Sequence, residues 1–408
     1  MGYVAQDTGL RGVCGLDDRF SGMPQDVFRF FHDAFDASPT AVASAPGRIE
    51  FIGNHTDYNG GCVIGGAIDR RTYVGVGPRR DRLLRLVSDQ YDGVVELDLD
   101  APDGPTAGDW ARYPLAVLHS LGEQFEIPTG FEAAIVSDLP TGAGLSSSAA
   151  LEMAATLAFS TVLGLELSVE DLIGISHTAE TRYVGVPCGL LDQSVVGLGR
   201  ADRLVFLDAS DASHRLIPIP SNTHVWIVRT HESHVLSDSF YARRRSECSE
   251  ALERLSGFVP GISRLTVLHP FDIVAYGDGL SETLRKRARH VVEEQDRVLR
   301  AVEETDPREI GSLLKASHAS SRDLFENSTE ALDFLVACLS DTKGVLGTRL
   351  TGGGFGGAAI AWTNDAFNPA DLDDLRAAYT DRFSTPCETF MVDWADGVRL
   401  EAPPGAAS

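Results

Sequence analysis

One stretch constrains the fold more than any other: Leu139-Pro140-Thr141-Gly142-Ala143-Gly144-Leu145-Ser146-Ser147-Ser148-Ala149-Ala150. Ile135 and Val136 give a strand signal just before it, and Ala149 to Ala158 is strongly helix-forming just after it. The chain therefore runs strand, glycine turn, helix, which predicts an α/β fold. Glycines let the backbone turn its N–H groups toward a ligand, and a helix N-terminus adds unpaired donors and partial positive charge. Three serines place hydroxyls at the same point. The run suits an anion, above all a polyphosphate, held by Gly142, Ala143, Gly144, Leu145, Ser146, Ser147 and Ser148. A small-residue turn needed only for close packing would look the same in isolation.

Length and charge narrow the setting. At 408 residues the chain is long enough for roughly two to three domains. No apolar run approaches the roughly 18 residues of a spanning helix, and no basic-then-apolar leader opens the chain, so a cytoplasmic protein is expected. The formal net charge of −24 opposes nonspecific contact with nucleic acid or an anionic membrane. Positive potential for a phosphate must then be local. The six cysteines form no Cys-x-x-Cys pair, so neither a zinc site nor a disulfide framework is indicated. Of the 35 basic residues only Lys286, Lys315 and Lys343 are lysines, which hints at a GC-rich genome or salt adaptation.

Along the chain, residues 1–23 read as a loosely tied arm and Pro24 to Phe35 as a helix. Gly47 to Gly61 is a short strand ending in a loop that carries Arg48, Asn54, His55 and Asp57 between glycines. Arg48 suits a surface ion pair and His55 a structural role, but together the four suit adjacent hydroxyls of a polyol. Residues 63–99 alternate as antiparallel strands. Asp109 begins a helix that sets Trp110 and Tyr113 on one face, as core or as the lining of a base. Val169 to Val184 is a further helix, leading into Pro187-Cys188-Gly189-Leu190-Leu191-Asp192. Asp192 there is a cap or a working carboxylate. Leu204 to Leu207 and Trp226 to Val228 read as strands, with a domain boundary near 215 that divides the chain into 1–214 and 215–408. Beyond His231 to His234, the run Arg243-Arg244-Arg245 is expected to be a solvated helix face with one or two ion pairs. Helices follow over 280–303, 308–326 and 369–383. Thr351 to Gly357 is a second glycine turn, implying close approach to another loop or to a ligand.

Four segments in this order, Gly47 to Gly61, Gly142 to Ala149, Pro187 to Gln193 and Thr351 to Gly357, resemble the motifs of the GHMP small-molecule kinases, and among them the galactokinases. The resemblance spans residues 45 to 360. Neither a Walker-type loop nor the protein-kinase motif set is present. The resemblance implies a two-lobed GHMP-kinase fold, α+β with mixed sheets and helices, and an active site in the cleft between lobes. It implies ATP- and Mg²⁺-dependent phosphorylation of a sugar's anomeric hydroxyl by a monomer or weak dimer. Asp192 would be the catalytic carboxylate, and Arg48 would orient it and stabilise charge on the transferring group. Ser147, and less directly Glu180, would ligate Mg²⁺. Asn54, His55, Asp57, Gly189, Asp192 and Tyr241 match sugar-contacting positions; Trp110 and Tyr113 fall where adenine is lined.

One residue departs from that pattern. Galactokinases usually carry Glu at the position of Asn54, where it contacts the sugar's distal hydroxyl. Asn is neutral and both donates and accepts. Galactose is therefore the first expectation, with galacturonate, N-acetylgalactosamine and L-arabinose as alternatives. A non-catalytic sugar- and ATP-binding regulator is a third reading. It is weakened by the presence of Ser148, Ala149, Arg48 and Asp192 together.

Overall fold

The computed structural model describes residues 24–101, 110–140, 142–232 and 237–403. The expected arm over 1–23 lies outside these, as do Asp109, Thr141 and His234. Helix α1 (Pro24–Phe35) precedes strand β1 (Ala41–Ile52), which is buried at all twelve positions. Strands β2 (Cys62–Pro78), β3 (Leu83–Ser88) and β4 (Tyr91–Asp98) follow, then α2 (Arg112–Gly122) and β5 (Phe131–Ser137). Helices α3 (Ser147–Val162), α4 (Val169–Thr178) and α5 (Leu191–Leu198) lead to β6 (Arg203–Asp208) and β7 (Ser213–Pro218). These strands form one sheet in the order β1-β2-β5-β3-β4, with β6 and β7 continuing from the other part of the long β2. All these pairings are antiparallel except β3 with β5.

The second half supplies β8 (Thr223–Arg229), α6 (Ser237–Ser256), α7 (Pro270–Tyr276), α8 (Glu282–Glu303), α9 (Pro307–Ser320) and α10 (Glu330–Ser340). It ends with β9 (Val345–Thr351), β10 (Ala358–Asn364), α11 (Asp371–Phe383), β11 (Glu388–Val392) and β12 (Arg399–Leu400). The second sheet runs β11-β8-β10-β9, while β12 returns to pair with β1. One apolar core joins the sheets: Ile49, Phe51 and Ile64 of the first meet Ile227, Ile360 and Trp362 of the second. Burial of these side chains is the main force holding the halves together. No helix among the described residues is long and apolar enough to cross a membrane.

Three local readings need correction. Helix α2 starts at Arg112, so Trp110 stands before it rather than on its face. The helix through Val184 widens into a π turn over Ala179–Val184. β7 gave no alternating signal because it is exposed at nearly every position. The 214/215 division falls inside this strand, which stays paired with β6 as far as Pro218. The arginine run divides as expected: Arg244 is buried against Glu247 and the Phe325 and Glu326 carbonyls, while Arg243 and Arg245 are exposed.

The loop after β1 is fixed from α8. Glu294, fully buried, accepts at Oε1 from the backbone N–H groups of Gly53 (3.0 Å) and Asn54 (3.1 Å) and from the Ser317 hydroxyl (2.6 Å). Its Oε2 accepts from Arg297 at 2.7 Å. One turn earlier, His290 Nε2 lies 3.0 Å from the Asn54 carbonyl. A carbonyl can only accept, so Nε2 carries the proton and Nδ1 accepts from Ser320. Burial alone would raise the Glu294 pKa, but Arg297, His290, Arg349 and the Ser317 hydroxyl outweigh it and hold it at about 2. Removing one partner of such a buried pair leaves a charge without compensation.

Glu294→Gln is therefore expected to destabilise the protein by about 3 kcal/mol near neutral pH. The native pKa is depressed, so this stabilisation is present above the ordinary value of 4.5 and is lost as pH falls toward about 2. Thermal melts across that window check it: the gap between wild type and variant should close. A gap independent of pH would contradict the assigned charge.

Candidate active site

Strand β1, the glycine turn and the start of α5 converge on one ion pair. Arg48 Nε and Nη2 donate to Asp192 Oδ1 at 2.8 and 2.6 Å, and Ser146 Oγ donates to Oδ2 at 2.6 Å. Arg48 also donates from Nη1 to the Gly144 carbonyl at 2.6 Å, and its backbone N–H donates to the Leu145 carbonyl at 3.0 Å. One arginine thus sets the distance between a carboxylate and the turn. The guanidinium side chain is 7% exposed and the carboxylate 22%, so the carboxylate keeps a face open to the cleft.

The turn itself alternates through left-handed backbone at Gly142 (φ 67°), Gly144 (φ 71°) and Ser146 (φ 58°), a pattern that gathers N–H groups into a concavity. The first helical bond of α3 runs from Ala150 N–H to Ser146 O. The N–H groups of Ser147, Ser148 and Ala149 precede that ladder, and the Ser146 side chain, engaged by Asp192, does not cap them. The second glycine turn closes over the first. A Cβ on Gly352 would stand 3.1 Å from the Gly144 carbonyl oxygen, so the close approach expected from the glycines is made to the other loop.

Two connected cavities open from this point. The main cleft is lined by both glycine turns, Arg48, Asp57, Glu180, Asp192 and Tyr241, and by Leu145, Gly142 and Gly189. Ser147 and Ser148 also border a second pocket that contains Trp110, Tyr113, Tyr91, Ser88 and Gln90. Tyr91 stacks on Trp110 with ring centroids 5.6 Å apart and planes 13° apart. Sequence reasoning found Trp110 and Tyr113 but missed Tyr91, whose hairpin position gave no hint of a partner nineteen residues on. Ala143, buried, lies behind the turn.

Glu180 is the second residue of the π turn and is 4% exposed. Its Oε1 accepts from Ser148 Oγ at 2.9 Å and its Oε2 from Gln193 at 2.6 Å. Burial first, then the Asp192 charge, raises its pKa. It is Ser148, rather than Ser147, that bonds Glu180; among the described residues no hydrogen bond engages the Ser147 hydroxyl. These are all oxygen donors, and no group of three or more His, Cys, Asp or Glu among the described residues is arranged as a metal cage. That set fits Mg²⁺, which takes one or two protein oxygens and fills its octahedron with water and phosphate.

At the other end of the cleft, Asp57 Oδ1 accepts from the Tyr58 N–H at 2.8 Å. Burial raises its pKa to about 6, with the Glu50 and Asp192 charges adding to the rise. Gly189 lies against it, and Tyr241 packs over Gly353. His55 and Asn54 also line the cleft, with their polar atoms engaged within the protein. His55 Nε2 is 3.0 Å from the Gly353 carbonyl and Nδ1 is 2.9 Å from the Tyr58 hydroxyl, so both ring nitrogens are engaged. Burial lowers its pKa to about 3, and the neutral ring packs edge-on to Tyr58 and tilted against Tyr241 and Phe325. Asn54 is fully buried: Nδ2 donates to Glu50 Oε1 (2.9 Å) and Gly352 O (2.8 Å), and Oδ1 accepts from Asn327 (2.8 Å) and Ser321 (3.1 Å). Two donors and two lone pairs are all an amide has.

The galactokinase galactose-binding signature matches residues 29–78, the GHMP kinases N terminal domain residues 112–200, and the GHMP kinases C terminal domain residues 298–384. The galactokinase of Roseiflexus sp. (strain RS-1) is 36% identical, over 90% of this chain and 95% of its own. That of Lactiplantibacillus plantarum is also 36% identical, over 91% and 98%. The crystal structure of Lactococcus lactis galactokinase complexed with galactose superposes with a TM-score of 0.88 at 32% identity, covering 92% of this chain and 99% of that one. Methanococcus jannaschii mevalonate kinase shares the fold, with a TM-score of 0.66 at 18% identity. The chain belongs to the galactokinase family and has the GHMP-kinase fold.

A Cβ on Gly189 would lie 1.8 Å from Asp57 Oδ2. Gly189→Ala must displace that carboxylate, and a misplacement of about 1 Å is expected to cost about 10²-fold in kcat/KM for the sugar. KM for ATP and the melting temperature should change little. Steady-state kinetics with each substrate varied separately checks this; unchanged sugar kinetics would contradict a contact between Asp57 and the sugar.

Proposed function

We propose that this member of the galactokinase family transfers the γ-phosphoryl group of ATP to the anomeric hydroxyl of D-galactose. The observation that carries the reading is Asp192. Arg48 and Ser146 hold it, and Arg48 ties it to the carbonyl of Gly144 in the phosphate turn. A nucleophile, a proton acceptor and a polyphosphate can meet only where those three elements meet.

The roles follow from the chemistry of phosphoryl transfer, which asks for alignment and charge neutralisation more than covalent participation. The pocket of Tyr91, Trp110 and Tyr113 takes the adenine. The turn from Gly142 to Ser148 takes the phosphates with its N–H groups and the N-terminus of α3. Asp192, held by Arg48 at Oδ1 and by Ser146 at Oδ2, accepts on a remaining lone pair the hydrogen bond, and then the proton, of the anomeric hydroxyl. Arg48 also offsets charge on the transferring group. Ser147, Ser148 and Glu180 would hold Mg²⁺, which, when bound, shields the phosphate charges from one another. Asp57 and the Tyr241 face border the sugar.

An anionic substrate is disfavoured. Glu50, Asp57 and Asp192 all line the cleft, so the carboxylate of galacturonate would meet like charge. Galactose remains first among the sugars.

With Mg·ATP, ADP release should depend on D-galactose in a coupled assay. Asp192→Asn should lower kcat by roughly 10²- to 10⁴-fold, the span of general-base contributions. Nucleotide affinity, read by calorimetry, should stay close to wild type. A variant with wild-type turnover would remove Asp192 from the reaction.

A further inference from the structure

Glu50 has been given no contact with the substrate so far, yet it stands in the cleft. It lies two residues beyond Arg48 on β1, with no register slip between them: Arg48 pairs with Ala67 and Glu50 with Gly65. Residues two apart on a strand face the same side, about 7 Å apart. Arg48 reaches Asp192 and the phosphate turn, so Glu50 stands one repeat farther from the phosphoryl end. Its side chain is 7% exposed and lines the cleft. Oε1 accepts from Asn54 Nδ2 (2.9 Å) and Arg349 Nη2 (2.8 Å). Among the described residues, no partner bonds Oε2.

Asn54, the residue that stands where related kinases carry a carboxylate, has no free hydrogen-bonding capacity. It holds Glu50 instead. The Glu50 carboxyl is otherwise enclosed, and its unbonded oxygen belongs to a side chain at the wall of the cleft; such an oxygen calls for a donor. Arg349, itself fully buried and anchored on the Glu50 and Phe51 carbonyls, fixes the other oxygen and so fixes the direction of this one.

We propose that Glu50 accepts a hydrogen bond from a sugar hydroxyl at the end remote from the anomeric carbon, C4 or C6, and that the Asn54 amide and Arg349 orient it for this contact. The specificity-determining carboxylate has in effect moved from the loop to the strand, four residues earlier. This rests on the galactose 1-kinase reading, with Asp192 at the anomeric end. The ligand it selects is a neutral sugar with a hydroxyl donor at that position.

The test is kcat/KM for D-galactose, 4-deoxy-D-galactose and 6-deoxy-D-galactose with wild type and Glu50→Gln. Hydrogen bonds to a charged group imply a loss of roughly tenfold to 10²-fold toward galactose on neutralising Glu50, mainly in KM. Toward the deoxysugar that lacks the contacted hydroxyl, the same substitution should cost less than about threefold, since the interaction is already gone. An equal loss toward all three sugars, or no loss toward galactose, overturns the assignment. If melting shows Glu50→Gln to be misfolded, Glu50→Asp carries the same comparison, because it keeps the charge beside Arg349 and withdraws the carboxylate by one methylene. Failure of wild type to turn over galactose would instead refute the kinase reading itself.

Discussion

The architecture depends on a largely buried ion pair, Arg48 with Asp192. Two charges taken out of water carry a large desolvation cost, offset only when geometry is good and the remaining polar atoms are bonded. Here both conditions hold. Two nitrogens of the guanidinium meet one carboxylate oxygen, Ser146 meets the other, and the third nitrogen reaches the Gly144 carbonyl. A strand, a helix start and a phosphate turn are thereby locked at hydrogen-bond distances from one another. This precision is what phosphoryl transfer requires of a protein.

Strand β1 serves as the ruler for the rest of the cleft. Its buried length carries Arg48 and then Glu50 at one strand repeat, and its loop delivers Asn54, His55 and Asp57. That loop is held from beneath by Glu294 and His290 on α8 and from above by Gly352 and Gly353. The side chains that look most like sugar ligands by chemistry, His55 and Asn54, serve as its internal braces. The carboxylates Glu50, Asp57 and Asp192 are left to face the cavity. In a chain of net charge −24, Arg48 is the cationic side chain among the described residues that line the cleft, and it stands beside the opening of α3.

Much of this was legible in the sequence, for a physical reason. Glycine turns and helix starts are local properties of the backbone, so the two glycine turns could be read directly, while Arg48, Asp57 and Asp192 were singled out by the resemblance of the motifs that carry them. What could not be read is which way a side chain points when its partner is far away in sequence. Glu294 binds a loop 240 residues earlier, and Asn54 binds residues 267 and 273 positions away. Glu50 sits in an apolar strand with no local sign that Arg349 would compensate it. Tyr91 carries no local sign in the sequence that Trp110 stacks beside it. Motif position alone suggested that Asn54 touches the sugar. The hydrogen-bond count of its amide was needed to see that its donors and lone pairs are all engaged within the protein.

The regiochemistry of the product tests the arrangement most directly. If Asp192 and the phosphate turn are aligned on the anomeric hydroxyl, phosphorus and carbon NMR of the galactose product should show the phosphate coupled to C1. A phosphate on C6 or another hydroxyl, or ATP hydrolysis with the sugar left unmodified, would contradict it.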